Sequence, residues 1–181
     1  MILLIPGLFL WFGTHALKRQ TIGQRASLGN KGKKIVAIAS VVAVVLMILG
    51  YRATEGTIYW GSNGAGTGIN NLLMFFAFYL FATSGKSTRI TRWIRHPQLT
   101  AVFVWSVAHL LVNGDTQSLV LFGGMGFWAV VEMVIINRTT GPRGAYHAPP
   151  IKSEVIAVVA TLFVFSIAAA IHIWLGYNPF G

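Results

Sequence analysis

The stretch of residues 92–115 limits the possible fold more than any other part of the chain. It opens with basic residues that include Arg95, continues from Ala101 as an apolar run interrupted only by Ser106 and His109, and closes on an Asn-Gly-Asp turn. From Arg95 to Asp115 the chain advances 20 residues. As an α-helix this stretch is about 30 Å long, the thickness of the hydrocarbon layer of a bilayer. The pattern predicts a transmembrane helix with an imidazole inside the apolar layer.

Five further apolar runs have lengths near that of a membrane span. They are residues 1–17, 35–51, 70–84, 118–136 and 155–175. Hydrophobic residues make up 55% of the chain and charged residues only 10%, whereas a soluble domain carries about 25% charged residues. Because lipid leaves open sheet edges unsatisfied, the runs must be helices. We expect an all-α, polytopic membrane helix bundle of about six transmembrane helices, with residues 1–181 forming a single domain in the lipid bilayer.

The basic residues are confined to alternate loops between the predicted spans. Thirteen of the 14 lie in loops one, three and five: Lys18, Arg19, Arg25, Lys31, Lys33, Lys34, Lys86, Arg89, Arg92, Arg95, Arg138, Arg143 and Lys152. Only Arg52 lies in loop two. Since loops rich in Lys and Arg remain in the cytoplasm, we expect both termini outside and the three basic loops inside. Topology thereby explains the net charge of +10, and we do not expect nucleic acid as a partner.

Two groups of glycines have structural interpretations. Gly64, Gly66 and Gly68 resemble a phosphate-binding run, but no strand precedes them, and we expect a flexible loop within the polar connection 52–69. The glycines of the string 123–126 in the fifth span are expected to permit close helix packing.

Ionisable or strongly polar side chains in a membrane span are costly and are therefore candidate functional residues. Those on the predicted inner side are His15, Arg95, His96 and Glu132, and those towards the outer side are His109, Asn113, Asp115 and His172. His109 lies about 9 Å below Asp115 along its helix.

Most of these residues also have a structural interpretation. Arg95 and His96 can contact lipid headgroups while Pro97 starts a helix. Asp115 suits the N-cap of the fifth span, and His172 suits an interfacial ring.

Three candidates lie deeper in the spans. Glu132 needs a partner, for which His15 or an arginine is available. His109 lies between Ala108 and Leu110 inside the apolar layer. It is either a structural histidine bonded to another helix or a residue that binds a ligand or carries a proton.

The available donors favour haem over other metal centres. The chain has no cysteine, which excludes disulfides and thiolate metal sites, and no cluster with the ligand spacing of zinc is apparent. Neutral imidazoles are good axial ligands for haem iron. A porphyrin also suits a cleft between apolar helices.

Four short strings carry a resemblance to a known family. They are GTHAL at residues 13–17, RHP at 95–97, AHLLVNGD at 108–115 and HIWL at 172–175. With these strings the chain resembles the NnrU family of bacterial membrane proteins from the first span to the last. The resemblance implies a multi-pass protein of the bacterial inner (cytoplasmic) membrane that is linked to nitric oxide metabolism in denitrifying bacteria.

NnrU proteins are also similar to 15-cis-zeta-carotene isomerase, a haem b membrane enzyme. Carried over from that enzyme, the resemblance implies His15 and His109 as the haem ligands. The isomerase has a cysteine three residues before its second histidine. Ser106 occupies that position here, which leaves haem binding possible and puts isomerase activity in doubt. By predicted depth His172 matches His109 better than His15 does, so His172 is the rival second ligand.

These observations lead to one expected function and two alternatives. We expect a haem b membrane protein that acts in nitric oxide or denitrification physiology, with other membrane redox proteins as partners. The enzyme alternative is a haem-dependent cis-trans isomerase of a polyene lipid. The non-enzyme alternative is an accessory subunit of another membrane complex.

The basic loops generate a testable topology. A reporter fused after Gly181 should behave as periplasmic, and one inserted near Gly29 should behave as cytoplasmic, because thirteen basic residues lie in loops one, three and five. Activity of paired phosphatase and fluorescent-protein fusions measures both positions. A C-terminal reporter that is active only in the cytoplasm would reverse the assigned sides of all the histidines.

Overall fold

The computed structural model describes residues 1–20, 22–84 and 88–181, with side chains described outside residues 17–30. Each predicted apolar run lies in a helix. The helices are α1 (Leu4–Gln20), α2 (Ile22–Arg52), α3 (Gly64–Ala82), α4 (Pro97–Val112), α5 (Thr116–Thr139) and α6 (Ile151–Trp174). A short 3-10 turn, Arg89–Arg92, precedes α4. The prediction of a largely helical membrane protein is confirmed.

Four of these helices are long and apolar enough to cross a membrane. They are Lys31–Arg52 within α2, α3, α5 and α6. The other two apolar helices, Leu4–Ala16 within α1 and α4, are shorter. Helix α4 has 16 residues rather than the expected 20. It begins at Pro97, which has no N–H to donate at the first helical position, and ends before Asn113, whose backbone is extended.

Two predicted loops are partly helical. Helix α2 already begins at Ile22, so most of the predicted first basic loop is part of this helix. Thr21 lies outside the described residues. The expectation of a flexible glycine loop is wrong, because Gly64, Gly66 and Gly68 form the first turns of α3. The Oδ1 atom of Asn63 accepts a hydrogen bond of 2.8 Å from the Gly66 N–H. This N-cap offsets the conformational cost of glycine in a helix.

The chain forms two compact units, each made of two separate stretches. The first unit comprises Met1–Tyr59 and Asp115–Gly124, and the second comprises Trp60–Gly114 and Met125–Gly181. The short strands β1 (Ile58–Trp60) and β2 (Gly114–Asp115) form a two-stranded sheet. A boundary between the units falls within each strand.

Helices α1 and α2 pack against each other in the first unit with their backbones in close approach. Leu4 and Leu8 of α1 are buried, as are Ala43 and Met47 of α2. A Cβ placed on Gly50 would lie 2.7 Å from Leu4 Cα and overlap with the Leu4 backbone nitrogen. Small residues at such crossings let membrane helices gain van der Waals contact.

The start of α5 also belongs to the first unit. Asp115 Oδ1 accepts a hydrogen bond of 2.7 Å from the Ser118 N–H, which confirms the predicted N-cap. A π-helical turn, Leu119–Gly123, follows, and the ring of Phe122 lies edge-on to Tyr51 at 6.0 Å between centroids. The Tyr51 hydroxyl and Ser118 Oγ are hydrogen-bonded at 2.9 Å.

Helices α3, α4 and α6 form the core of the second unit. The buried side chains between them are mostly small: Ala77, Leu80, Ala101, Ala108 and Ala157. Phe75 and Phe78 of α3 contact Phe165 of α6, with ring centroids 6.0 and 6.2 Å apart.

Two of the three glycines at residues 123–126 of α5 are closely packed against neighbouring side chains. Gly124 lies against Leu8, and a Cβ on Gly126 would lie 3.1 Å from the Cβ of Ser106. No described atom lies within 4 Å of a Cβ placed on Gly123.

The close approach of α1 and α2 can be tested with two alanine substitutions. Gly50→Ala should destabilise the protein by about 1–3 kcal/mol, because the added methyl meets backbone atoms that cannot rotate away. Gly13→Ala is the matched control, since no described atom lies within 4 Å of its Cβ. Thermal unfolding in detergent, followed by circular dichroism, measures both variants. Equal melting temperatures for the two variants would contradict the observed packing.

Candidate functional site

His109 on α4 is held by a backbone hydrogen bond one turn earlier in its own helix. Its Nδ1 lies 3.0 Å from the carbonyl oxygen of Trp105, and the two rings are in contact at a tilt of 51°, with centroids 5.1 Å apart. Because a carbonyl can only accept, Nδ1 is the donor and the ring lone pair is on Nε2. A backbone carbonyl on the other ring nitrogen is the usual partner of a metal-binding histidine.

The same arrangement occurs a second time, in α1. His15 Nδ1 lies 2.9 Å from the carbonyl oxygen of Trp11, and the two ring centroids are 4.3 Å apart. The shared signal is a Trp-x-x-x-His spacing, which places both rings on one helix face. The sequence interpretation missed this repeat, although Trp11 and Trp105 are visible at the same offset from the two histidines.

His172 has the backbone bond without a tryptophan four residues earlier. Its Nδ1 lies 2.7 Å from the Ala168 carbonyl oxygen, and its side chain is exposed in the last turn of α6. His109 and His172 both belong to the second unit. His15 belongs to the first unit.

The residues that follow His109 terminate α4. The carbonyl oxygen of His109 accepts from both the backbone N–H and the side-chain Nδ2 of Asn113, at 2.9 and 3.0 Å. The indole Nε1 of Trp60 donates to the Leu110 carbonyl oxygen at 2.8 Å. A Cβ on Gly114 would lie 2.5 Å from Trp60 Cε2, so only glycine fits beneath that ring. Asn113 and Gly114 therefore hold the helix end that carries His109.

Arg95 and His96, just before α4, form hydrogen bonds to the end of α5 and to the loop that follows it. Arg95 Nη2 donates to Thr140 Oγ1 at 3.0 Å and to the Gly141 carbonyl at 2.6 Å. His96 Nε2 and Asn137 Oδ1 are hydrogen-bonded at 2.9 Å. We call the end of the second unit where α4 begins its basic end. Its described cations are Arg89, Arg92, Arg95, Arg138, Arg143 and Lys152.

Glu132 and Ser106, both singled out in the sequence, are among the polar side chains buried in the second unit. Glu132 of α5 is only 5% exposed and Ser106 of α4 only 2%. Ser106 Oγ has no hydrogen-bond partner among the described residues. Its Cβ packs against Gly126, so the serine fills the space that the glycine leaves.

Metal sites with several ligands are not found in the described part of the chain. Outside residues 17–30 and 85–87, no group of three or more His, Asp or Glu side chains could hold a metal ion.

The comparisons with known proteins point to a single family. A family model described as "NnrU protein" matches residues 3–179 of the 181-residue chain. No curated protein and no solved structure matches the chain.

The packing of Trp60 on Gly114 can be tested by a double-mutant cycle. Gly114→Ala should cost about 1–3 kcal/mol, because the methyl displaces the indole and breaks its bond to the Leu110 carbonyl. In a Trp60→Ala background the same substitution should cost little, since the ring is gone. Gly68→Ala is the control, with no described atom within 4 Å of its Cβ. Thermal unfolding in detergent measures the cycle, and additive effects would refute the contact.

Proposed function

The chain belongs to the NnrU family, and from this premise we propose that it is a haem b membrane protein in which His109 would be a ligand of the iron. It acts in nitric oxide or denitrification metabolism as a redox or accessory protein. The metabolic link rests on the family resemblance, and the haem site rests on the residues around His109.

The observation that supports haem binding most directly is the bond between His109 and Trp105. Since Nδ1 donates to the Trp105 carbonyl, Nε2 carries the lone pair that iron requires. The ring packs against the indole at a tilt of 51°, which restricts its rotation. Asn113 holds the carbonyl of His109 itself, so the backbone that bears the ring is also restrained. A ligand prepared in this way needs little reorganisation on binding.

Two residues compete for the second axial position. The resemblance implies His15, which has the same Trp-x-x-x-His geometry as His109. His172 belongs to the same unit as His109, and its Nδ1 is likewise bonded to a backbone carbonyl. Both imidazoles therefore have the correct tautomer for iron, and ligand-removal variants separate them.

When bound, haem b supplies a one-electron centre whose potential depends on its axial ligands and burial. The basic end of the second unit lies one helix length away from His109 and does not take part in ligation. We do not extend the function to isomerisation, because Ser106 replaces the cysteine of the isomerase and is buried against Gly126.

We place the protein in the inner (cytoplasmic) membrane with six crossings and both termini outside. The basic end of the second unit then faces the cytoplasm, as the positive-inside rule requires. The shorter helices α1 and α4 use their whole length to cross the bilayer. The 16 residues of α4 span about 24 Å, so this crossing needs local thinning of the bilayer or polar residues that flank the helix. Residues 1–181 act as one functional domain in this proposal.

Removal of the His109 imidazole tests the haem proposal. His109→Ala should remove or shift the Soret band of protein purified from haem-replete cells, while the helix content measured by circular dichroism stays unchanged. His96→Ala is the control, since it lies about 20 Å from His109 along the helix and should leave the spectrum intact. Whichever of His15→Ala and His172→Ala abolishes the six-coordinate spectrum identifies the second ligand.

A structural histidine would give a different result. Its removal would lower stability by about 0.6–2 kcal/mol through lost packing and hydrogen bonding, with no chromophore to lose. Wild-type protein that has no Soret absorbance after expression in haem-replete cells would refute haem binding.

A further inference from the structure

An apolar cleft of about 310 Å³ opens between α3, α4 and α6 in the second unit. Its walls include Met74 and Phe81 of α3, Ala101 and Trp105 of α4, and Val164 of α6. Every residue that lines it is apolar. The volume lies at the lower end of the range for ligand pockets, about 300–1,000 Å³. The site is distinct from the polar residues discussed above, although Trp105 contributes to both.

The cleft starts near the basic end of the unit. Phe81 is one residue from the end of α3, and Ala101 is four residues from the start of α4. Met74 and Trp105 each lie eight residues from those same helix ends, which is about 12 Å deeper. The cleft therefore runs from the loop between α3 and α4 into the apolar layer.

Cations lie in the connection that follows the Phe81 end of the cleft in α3 and precedes its Ala101 end in α4; we call this end the mouth of the cleft. Arg89 and Arg92 are exposed in the turn that joins α3 to α4. The Arg92 guanidinium lies over the rings of Trp93 and Tyr146, at 5.4 and 5.9 Å. Arg143 adds a third guanidinium, which donates to the Arg92 carbonyl at 2.9 Å.

One carboxylate lies close to these arginines. Glu154 accepts hydrogen bonds from the Tyr79 hydroxyl, at 2.9 Å, and from the Arg89 backbone N–H. A single acid does not balance three guanidinium groups, so the mouth of the cleft remains positive.

We infer that this cleft binds one anionic phospholipid of the surrounding membrane. An acyl chain lies between α3, α4 and α6, and the phosphate lies at Arg89 and Arg92. Water does not fill an apolar cleft, so within the hydrocarbon layer a lipid chain is the occupant. Arginines at the membrane surface favour a net negative headgroup over a zwitterionic one. The inference does not depend on haem binding.

Native mass spectrometry of the full chain tests the inference. The protein is released from detergent with phosphatidylglycerol or phosphatidylcholine of identical acyl chains. Wild type should retain phosphatidylglycerol preferentially, and Arg92→Gln should reduce that preference about fivefold, the effect of one cation near the surface. Arg52→Gln is the control because Arg52 lies in the other unit.

The cleft itself is tested by filling it. Val164→Trp should lower the retention of both lipids, because the indole occupies the space of the chain. Val159→Trp is the matched control on the same helix, since Val159 is 59% exposed and does not line the cleft. Circular dichroism and gel filtration check that each variant is folded.

A second measurement needs no cleft-filling variant. Phosphatidylglycerol with brominated chains should quench the fluorescence of wild type more than that of Trp105→Phe, because Trp105 lines the cleft. Equal retention of the two lipids by wild type would overturn the inference. So would equal losses in Val164→Trp and Val159→Trp, or retention of a fatty acid or isoprenoid in place of phospholipid.

Discussion

In a lipid bilayer a polar group has no water with which to form hydrogen bonds, so a partner within the protein is strongly favoured. The side chains of this protein find such partners mainly inside their own helices. Ser40 and Thr161 donate to carbonyls four residues earlier, at 2.8 and 2.7 Å. His15, His109 and His172 do the same through Nδ1. The hydrogen bond from Nδ1 to the backbone, which lipid surroundings favour, thus also sets the histidine tautomer that a metal ligand needs.

The same preference governs the helix ends. Asn63 caps α3, Asp115 caps the start of α5, and Asn113 satisfies the last turn of α4. Asn113, Gly114 and Asp115 look like part of a functional motif with His109, yet each has a local structural role. Their proximity to His109 in sequence reflects the short turn between α4 and α5. The residue in this string that points most clearly to chemistry is His109.

Trp105 connects the two proposals. Its carbonyl and its ring hold His109, and its side chain also lines the apolar cleft. A lipid chain in the cleft would therefore lie against the residue that orients the proposed haem ligand. The arginines at the mouth of the cleft lie in the loop that also contains Arg95 and His96, whose hydrogen bonds keep that loop against residues 137–141.

The sequence by itself determined the helical membrane class, because long apolar runs in lipid can satisfy their backbones only as helices. It also predicted the Pro97 helix start and the Asp115 cap, which depend on local chemistry. It did not predict that Gly64–Gly68 would be helical, where Asn63 caps the first turn of α3. Only the tertiary structure placed Trp60 on Gly114, Leu4 on Gly50 and His15 in a different unit from His109. These contacts join residues that are far apart in sequence, and no local pattern encodes them.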